Sequence, residues 1–220
     1  EPIICINKAD YGFDEAFELA KQYEKSGIRV YITSSVKNKG IDELRDAINK
    51  GSYNASDLKS WHHPVDATKL VTWVESHDTY CNAHESAGMT DEQIRAAWVF
   101  LSARNGGTPL FYSRPAGSSR ENYWGNNRVG ERGNDEFKHP AVIAANNFRK
   151  AMKGENEQVF TTDNGAVVEV ARGNKGFVLV NFSTKEVKYK LATTLPDGDY
   201  TDHITGNIIK VKNGEISVDD

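Results

Sequence analysis

Two short polar clusters each close an apolar run in this chain, and both combine residue types that can do chemistry. Leu70-Val71-Thr72-Trp73-Val74 runs directly into Glu75-Ser76-His77-Asp78, after which a turn begins. A buried parallel strand reads as such an apolar run, and its C-terminal end is where α/β folds place reactive groups. The second cluster is Asn7-Lys8-Ala9-Asp10, which follows Ile3-Ile4-Cys5-Ile6. There a carboxylate can accept from a ring N–H and an exocyclic amine, an amide can serve the other edge, and a Lys stem can pack on the ring face. His62 and His63 are adjacent, so no helix or strand places them on one face, and a solvated loop suits them better than a metal site. Only Cys5 and Cys81 are present, without a disulfide framework or zinc-ligand spacing.

The elements that must position these groups follow from periodicity. Phe13, Ala16, Phe17, Ala20 and Tyr23 recur at helical spacing after the first strand, and Gly27 ends the helix. Ile28 to Ile32 predicts a second strand closing on Thr33-Ser34-Ser35, and Ile41, Leu44, Ala47 and Ile48 mark a second helix. A breaker-rich passage near Asn49 to Ser52 suggests a junction. Beyond the Leu70–Val74 strand, Thr90-Asp91-Glu92-Gln93 is a capping box for a helix with Ile94, Ala97, Trp98 and Leu101 on its apolar face. Gly106-Gly107 ends it, and Thr108 to Tyr112 predicts another strand. A long loop rich in Gly, Asn and Arg runs from Ala116 to Asp135. Pro140 then opens a helix with a stripe of Ala141, Ala144, Ala145, Phe148 and Met152, ended by Gly154.

After Gly154 the period becomes two, with Asn164-Gly165, Asp197-Gly198 and Asn213-Gly214 as hairpin turns. The expected fold class is α/β plus β. Residues 1–50 form a β-α-β-α fragment, residues 51–154 hold further parallel β-α units, and residues 155–220 form an antiparallel β-sandwich. An unpaired sheet edge is expected near Asp219-Asp220.

The Glu75-Ser76-His77-Asp78 strand end, with Gly107-Thr108-Pro109-Leu110-Phe111-Tyr112-Ser113-Arg114-Pro115 further on, resembles the α-amylase family of retaining glycoside hydrolases. The resemblance implies that Leu70–Val74 and Thr108–Tyr112 are the last two strands of a (β/α)8 barrel, followed by that family's small C-terminal sandwich. It implies that Asp78 is the carboxylate stabilising the transition state and that His77 binds sugar. Asn82 is then a sugar contact or a turn cap. Arg114 either faces the site or forms a structural salt bridge. Tyr123 and Trp124 either stack on sugar rings or anchor their loop. The implied partner is an α-1,4-glucan or maltooligosaccharide. Retaining hydrolysis also needs a nucleophile and an acid about 5 Å apart across the scissile bond. A whole barrel takes about 250 residues, and roughly a hundred lie between the junction and Gly154. Glu75 precedes Asp78 on the same strand end, so it cannot sit across the bond. The expected chain therefore lacks activity by itself. No cofactor or metal is expected, calcium belonging to a complete amylase.

Asn7-Lys8-Ala9-Asp10, Thr33-Ser34-Ser35 and Lys39-Gly40-Ile41 resemble the circularly permuted ribosome-assembly GTPases. By that resemblance Asn7, Lys8, Asp10 and Ser34 would contact a guanine nucleotide. No phosphate-binding loop follows, so neither GTP hydrolysis nor a guanine-nucleotide partner is expected. The combined expectation is a chimeric or truncated chain, with its four β-α strands able to share one parallel sheet. The alternatives are a guanine-nucleotide-binding fragment and a recombined fold without activity.

A net charge of −4 gives no electrostatic case for nucleic acid or an anionic membrane. No apolar run approaches the roughly 18–20 residues of a membrane helix. No signal peptide is visible. An amylase parent implies secretion and a GTPase parent the cytoplasm, so the compartment stays open.

Overall fold

The computed structural model describes residues 66–162, 165–183 and 189–218, together with 3–6, 18, 21, 22, 25 and 29–32. Near the N-terminus, β1 (Ile3–Ile6) and β2 (Arg29–Ile32) pair in parallel, Ile3 opposite Arg29. Glu18, Lys21, Gln22 and Lys25 between them are helical, in line with the expected β-α-β order. A second parallel pair joins β3 (Val71–Trp73) to β4 (Thr108–Leu110), Thr72 opposite Pro109. The sequence allowed all four of these strands to share one parallel sheet. Among the described residues the four strands make two separate pairs, with no ladder between them. Pro109 has no N–H to give a second neighbour, which suits a strand bonded on one side only.

Helix α1 (Asp91–Ala103) connects β3 to β4 and starts as the capping box requires. Gln93 N–H donates to Thr90 Oγ1, and Thr90 N–H donates back to Gln93 Oε1 at 2.8 Å. Ile94, Ala97, Trp98 and Leu101 are buried as their spacing predicts, and Val99, Phe100 and Ala103 are buried too. The helix is covered on several sides because α2 and a β-sheet both pack on it. Gly107 then turns the chain at φ +71, where a Cβ would come within 2.9 Å of the Thr72 side chain. Helix α2 (Pro140–Ala151) begins with proline in its first turn, capped by His139 Nδ1, which accepts from Ala141 N–H at 3.2 Å. Of its apolar residues, Val142 and Ala145 are fully buried.

The rest of the chain forms two antiparallel sheets. The first contains β5 (Glu157–Thr161), β6 (Val167–Arg172) and β7 (Gly176–Asn181), in that order. The second contains β8 (Tyr189–Ala192), β9 (Gly198–Thr201), β10 (Ile208–Lys212) and β11 (Glu215–Val218). Its order is β8-β11-β10-β9. Two expectations change here. Asp197-Gly198 is not a hairpin turn, because β8 and β9 lie at opposite edges of the sheet. β11 is not an exposed edge either, since it sits between β8 and β10. Asn213-Gly214 does turn β10 into β11, with φ of 54° and 71°, the left-handed pair a two-residue hairpin needs.

Strand β6 explains the layering, for every one of its residues is buried. Val168 and Val170 join the core formed with Trp98, Phe100 and Val142. Glu169 and Ala171 pair across to Leu179 and Phe177, which pack against Val211 and Ile216 of the second sheet and Leu195 of the β8–β9 connection. The three-stranded sheet is therefore a middle layer between α1 and the four-stranded sheet.

Two arginines hold the helix ends, Arg172 to this layer and Arg149 to each other. Arg172 is 2% exposed, and its guanidinium donates to the Ala103 carbonyl that ends α1, to the Met152 carbonyl at the C-cap of α2 and to the Glu155 carbonyl just beyond it. Arg149 donates to the Ser102, Arg104 and Gly107 carbonyls. Such unsatisfied carbonyls carry partial negative charge that favours a cation, and the Glu157 carboxylate near both guanidiniums adds to it.

Candidate functional site

The backbone leaves β3 and coils into one π-helical turn, Asp78–Asn82, where the sequence suggested only a turn. Ser76 and Thr79 fasten its start. Ser76 N–H donates to Thr79 Oγ1 at 2.8 Å, and Thr79 Oγ1–H donates to the Ser76 carbonyl. Ala83 N–H closes the turn on the Asp78 carbonyl at 2.7 Å. Thr79, Tyr80 and Cys81 are buried beneath it. This leaves His77 and Asp78 facing outward, their side chains 65% and 43% exposed, with His77 Nε2 3.4 Å from Asp78 Oδ1. Asn82 Nδ2 donates to the same Asp78 oxygen at 2.8 Å. The turn thus brings together His77, Asp78 and Asn82 and orients the carboxylate from the Asn82 side.

Arg114 stands apart from this trio. It lies four residues beyond β4 and reaches Glu75, two residues beyond β3. Its Nε donates to Glu75 Oε1 at 2.9 Å, and a terminal nitrogen donates to Oε2 at 3.1 Å. That nitrogen also donates to the Ser86 and Met89 carbonyls. Its guanidinium carbon lies 4.4 Å from the centre of the Tyr80 ring. Of the two roles open from sequence, the geometry is that of a salt bridge, with Nε and one terminal nitrogen on protein acceptors and the other terminal nitrogen 3.9 Å from Asp91 Oδ1. Glu75 is 3% exposed and also accepts from Ser86 Oγ at 2.9 Å. Burial pushes its carboxyl above the usual range while the Arg114 bonds pull the other way.

Sequence reading left a salt bridge for Arg114 and loop anchoring for Tyr123 open as alternatives, but it did not name Glu75, Tyr80 or His84 as their partners. Tyr123 stacks on His84 at 3.8 Å and meets Tyr80 edge-on at 5.9 Å, so it anchors its loop. Trp124 is 46% exposed. Cys81 Sγ donates to the Tyr123 carbonyl and lies 3.4 Å from Tyr112 Oη, whose proton is held more tightly because burial disfavours the phenolate.

Among the described residues, no group of three or more His, Cys, Asp or Glu could hold a metal ion. No helix there is long and apolar enough to cross a membrane. Asn7, Lys8, Asp10 and Ser34 lie outside the described residues, as do His62 and His63.

Residues 161–220 match the Bacterial Alpha amylase C-terminal domain family. An alpha-amylase of Butyrivibrio fibrisolvens is 32% identical over 93% of this chain and 23% of its own length. That match reaches into residues 1–50, where the sequence suggested a different ancestry. Among solved structures, alpha-amylase I from Eisenia fetida superposes with a TM-score of 0.66 at 17% identity, over 87% of this chain and 47% of that one. A variant of the same enzyme in complex with maltohexaose gives 0.62 at 15% identity, over 86% and 47%. The chain thus spans less than a quarter of that curated relative and about half of those solved chains. In sequence and in fold, it carries an alpha-amylase-like C-terminal region.

Proposed function

We propose that the chain holds part of a sugar site for α-1,4-glucans, with Asp78 as the carboxylate facing the positive charge of an oxocarbenium-like transition state. His77 and Asn82 are the accompanying sugar contacts. Arg114, the remaining sugar contact read from sequence, is held on Glu75 by Nε and one terminal nitrogen. The observation that carries the reading is the Asp78–Asn82 turn, which is fastened from beneath and presents Asp78 and His77 together. A maltohexaose complex is known for a structural neighbour, which makes a maltooligosaccharide the ligand to try.

Hydrolysis with retention requires a nucleophile and an acid facing each other. Glu75, the neighbouring carboxylate, is buried and paired to Arg114, so it can serve as neither. The chain by itself therefore binds short maltooligosaccharides without cleaving them. The test is calorimetry with maltoheptaose, in parallel with a reducing-sugar assay on soluble starch. Heat that Asp78→Asn and His77→Ala both diminish, with no new reducing ends, is the expected result. Starch cleavage that Asp78→Asn abolishes would refute the claim of inactivity. A GDP titration in the same cell addresses the alternative assignment of Asn7, Lys8, Asp10 and Ser34.

A further inference from the structure

The bend between α1 and β4 carries the dipeptide Asn105-Gly106, in which Asn105 is exposed and Gly106 is half-buried. An Asn-Gly pair can react with itself, because glycine has no side chain to shield its backbone nitrogen from the neighbouring amide carbon. Packing here demands the glycine, since a Cβ on Gly106 would lie 2.8 Å from the Ala67 Cβ. The backbone bonds of the bend start from the N–H groups of Arg104, Gly107 and Thr108 and leave out that of Gly106. What the fold adds is charge. Arg172 donates to Asn105 Oδ1 at 3.1 Å, the atom on which negative charge develops when a nitrogen adds to Cγ. Arg149 donates to the Arg104 and Gly107 carbonyls on either side of the pair. Arg104 Nε donates to Glu157 Oε1 at 2.8 Å, and Glu157 Oε2 accepts the Asn105 N–H. Arg104, Arg149 and Arg172 thus share the Glu157 carboxylate, while that of Glu155 is paired with Lys175 at 2.6 Å. A carboxylate at position 105 would meet a surplus of positive charge.

We propose that Asn105 is a self-modifying site, converted to aspartate by attack of its own backbone with Arg172 stabilising the reaction. The Gly106 nitrogen, having lost its proton to water, bonds to Asn105 Cγ, and Arg172 holds the negative charge that appears on Oδ1. The Cγ–Nδ2 bond then breaks, and Nδ2 leaves as ammonia with a proton taken from water, which closes a succinimide ring. Water adds to one ring carbonyl, the ring C–N bond breaks there, and a proton returns to the Gly106 nitrogen. In a flexible chain water attacks mainly the main-chain carbonyl, which gives isoaspartate. Here Arg172 polarises the Cγ carbonyl, so water opens that side and leaves a normal aspartate. Amide and water have become carboxylic acid and ammonia, and the ionised acid keeps the Arg172 bond as a charge-assisted one. The clamp on the helix ends therefore tightens as the protein ages.

The experiment ages the full chain, folded and in urea, in mildly alkaline buffer. Mass spectrometry of tryptic peptides follows the conversion, with electron-transfer fragmentation to separate aspartate from isoaspartate. The expected result is conversion at Asn105 with aspartate as the major product in the folded chain and isoaspartate in urea. Arg172→Met should slow the folded-state reaction about tenfold or more, as loss of an oxyanion donor does, and restore the isoaspartate excess. Asn105→Asp tests the product even where Arg172→Met does not fold. A carboxylate held below its unfolded value adds stability above that value and none in acid. The urea midpoint of Asn105→Asp should therefore exceed the parent's at neutral pH and match it in acid. An Asn105 that stays intact in the folded chain while it converts in urea overturns the proposal. So does an isoaspartate excess in the folded chain, a folded Arg172→Met that converts at the parent's rate, or an Asn105→Asp midpoint no higher than the parent's at neutral pH.

Discussion

Arg114 and Glu75 show what a buried ion pair does when it sits beneath exposed chemistry. Removing one partner from such a pair costs about 3–5 kcal/mol, mostly because a charge is left buried alone. Arg114→Met is therefore expected to lower the unfolding free energy by about that much in a urea titration. Glu75→Gln combined with Arg114→Met should recover much of the loss; equal losses in the single and double variants would contradict the pairing. Glu169 gives a second prediction. It is wholly buried between the sheets, accepts from Thr193 Oγ1 at 2.7 Å, and has no partner for its other oxygen among the described residues. Burial pushes its carboxyl up to about 7, and Tyr189 is a titratable neighbour. A folded-state value above the unfolded one, roughly 4.3, means stability is full below that value. It falls as pH rises toward the folded value and levels off above it. Glu169→Gln should match the parent at pH 4 and exceed it by up to about 3 kcal/mol at pH 8. Denaturation curves with a pH-independent difference would contradict this. His77 and Asp78 were legible in sequence because they close an apolar run. The role of Arg114 became legible only when β3 and β4 lay side by side, since the two residues are remote along the chain.

Among the elements, α1 was the most readable, because its cap and its apolar stripe are local signals. Thr90→Ala removes the side-chain acceptor for Gln93 N–H, and the expected cost is about 1 kcal/mol. A lowered melting temperature checks it, and no change would mean the cap contributes nothing. The antiparallel strands were legible as elements but not as neighbours. Asp197-Gly198 has hairpin composition, yet the chain there crosses from one edge of the sheet to the other, and turn chemistry alone does not encode that crossing. β6 and β7 departed from simple alternation for a similar reason, since a middle layer has no solvated face.

At the scale of the molecule, Arg172 ties the middle sheet to the ends of both helices. Arg172→Met leaves the Ala103, Met152 and Glu155 carbonyls without their donor, and the expected cost is about 3 kcal/mol or more. Limited proteolysis should then cut the stretch between α2 and β5 faster; an unchanged cleavage rate would show that the clamp is dispensable. The order β8-β11-β10-β9 carries a further consequence. Among the described residues β8 has β11 as its one ladder partner, and that partner follows the β9–β10 hairpin in the chain. During synthesis β8 must therefore wait, unpaired by these strands, until residues 215–218 have left the ribosome. Loss of those few residues would leave the β9–β10 hairpin paired but cut β8 off from it, so the strand made latest of the four is the one that joins the layer together.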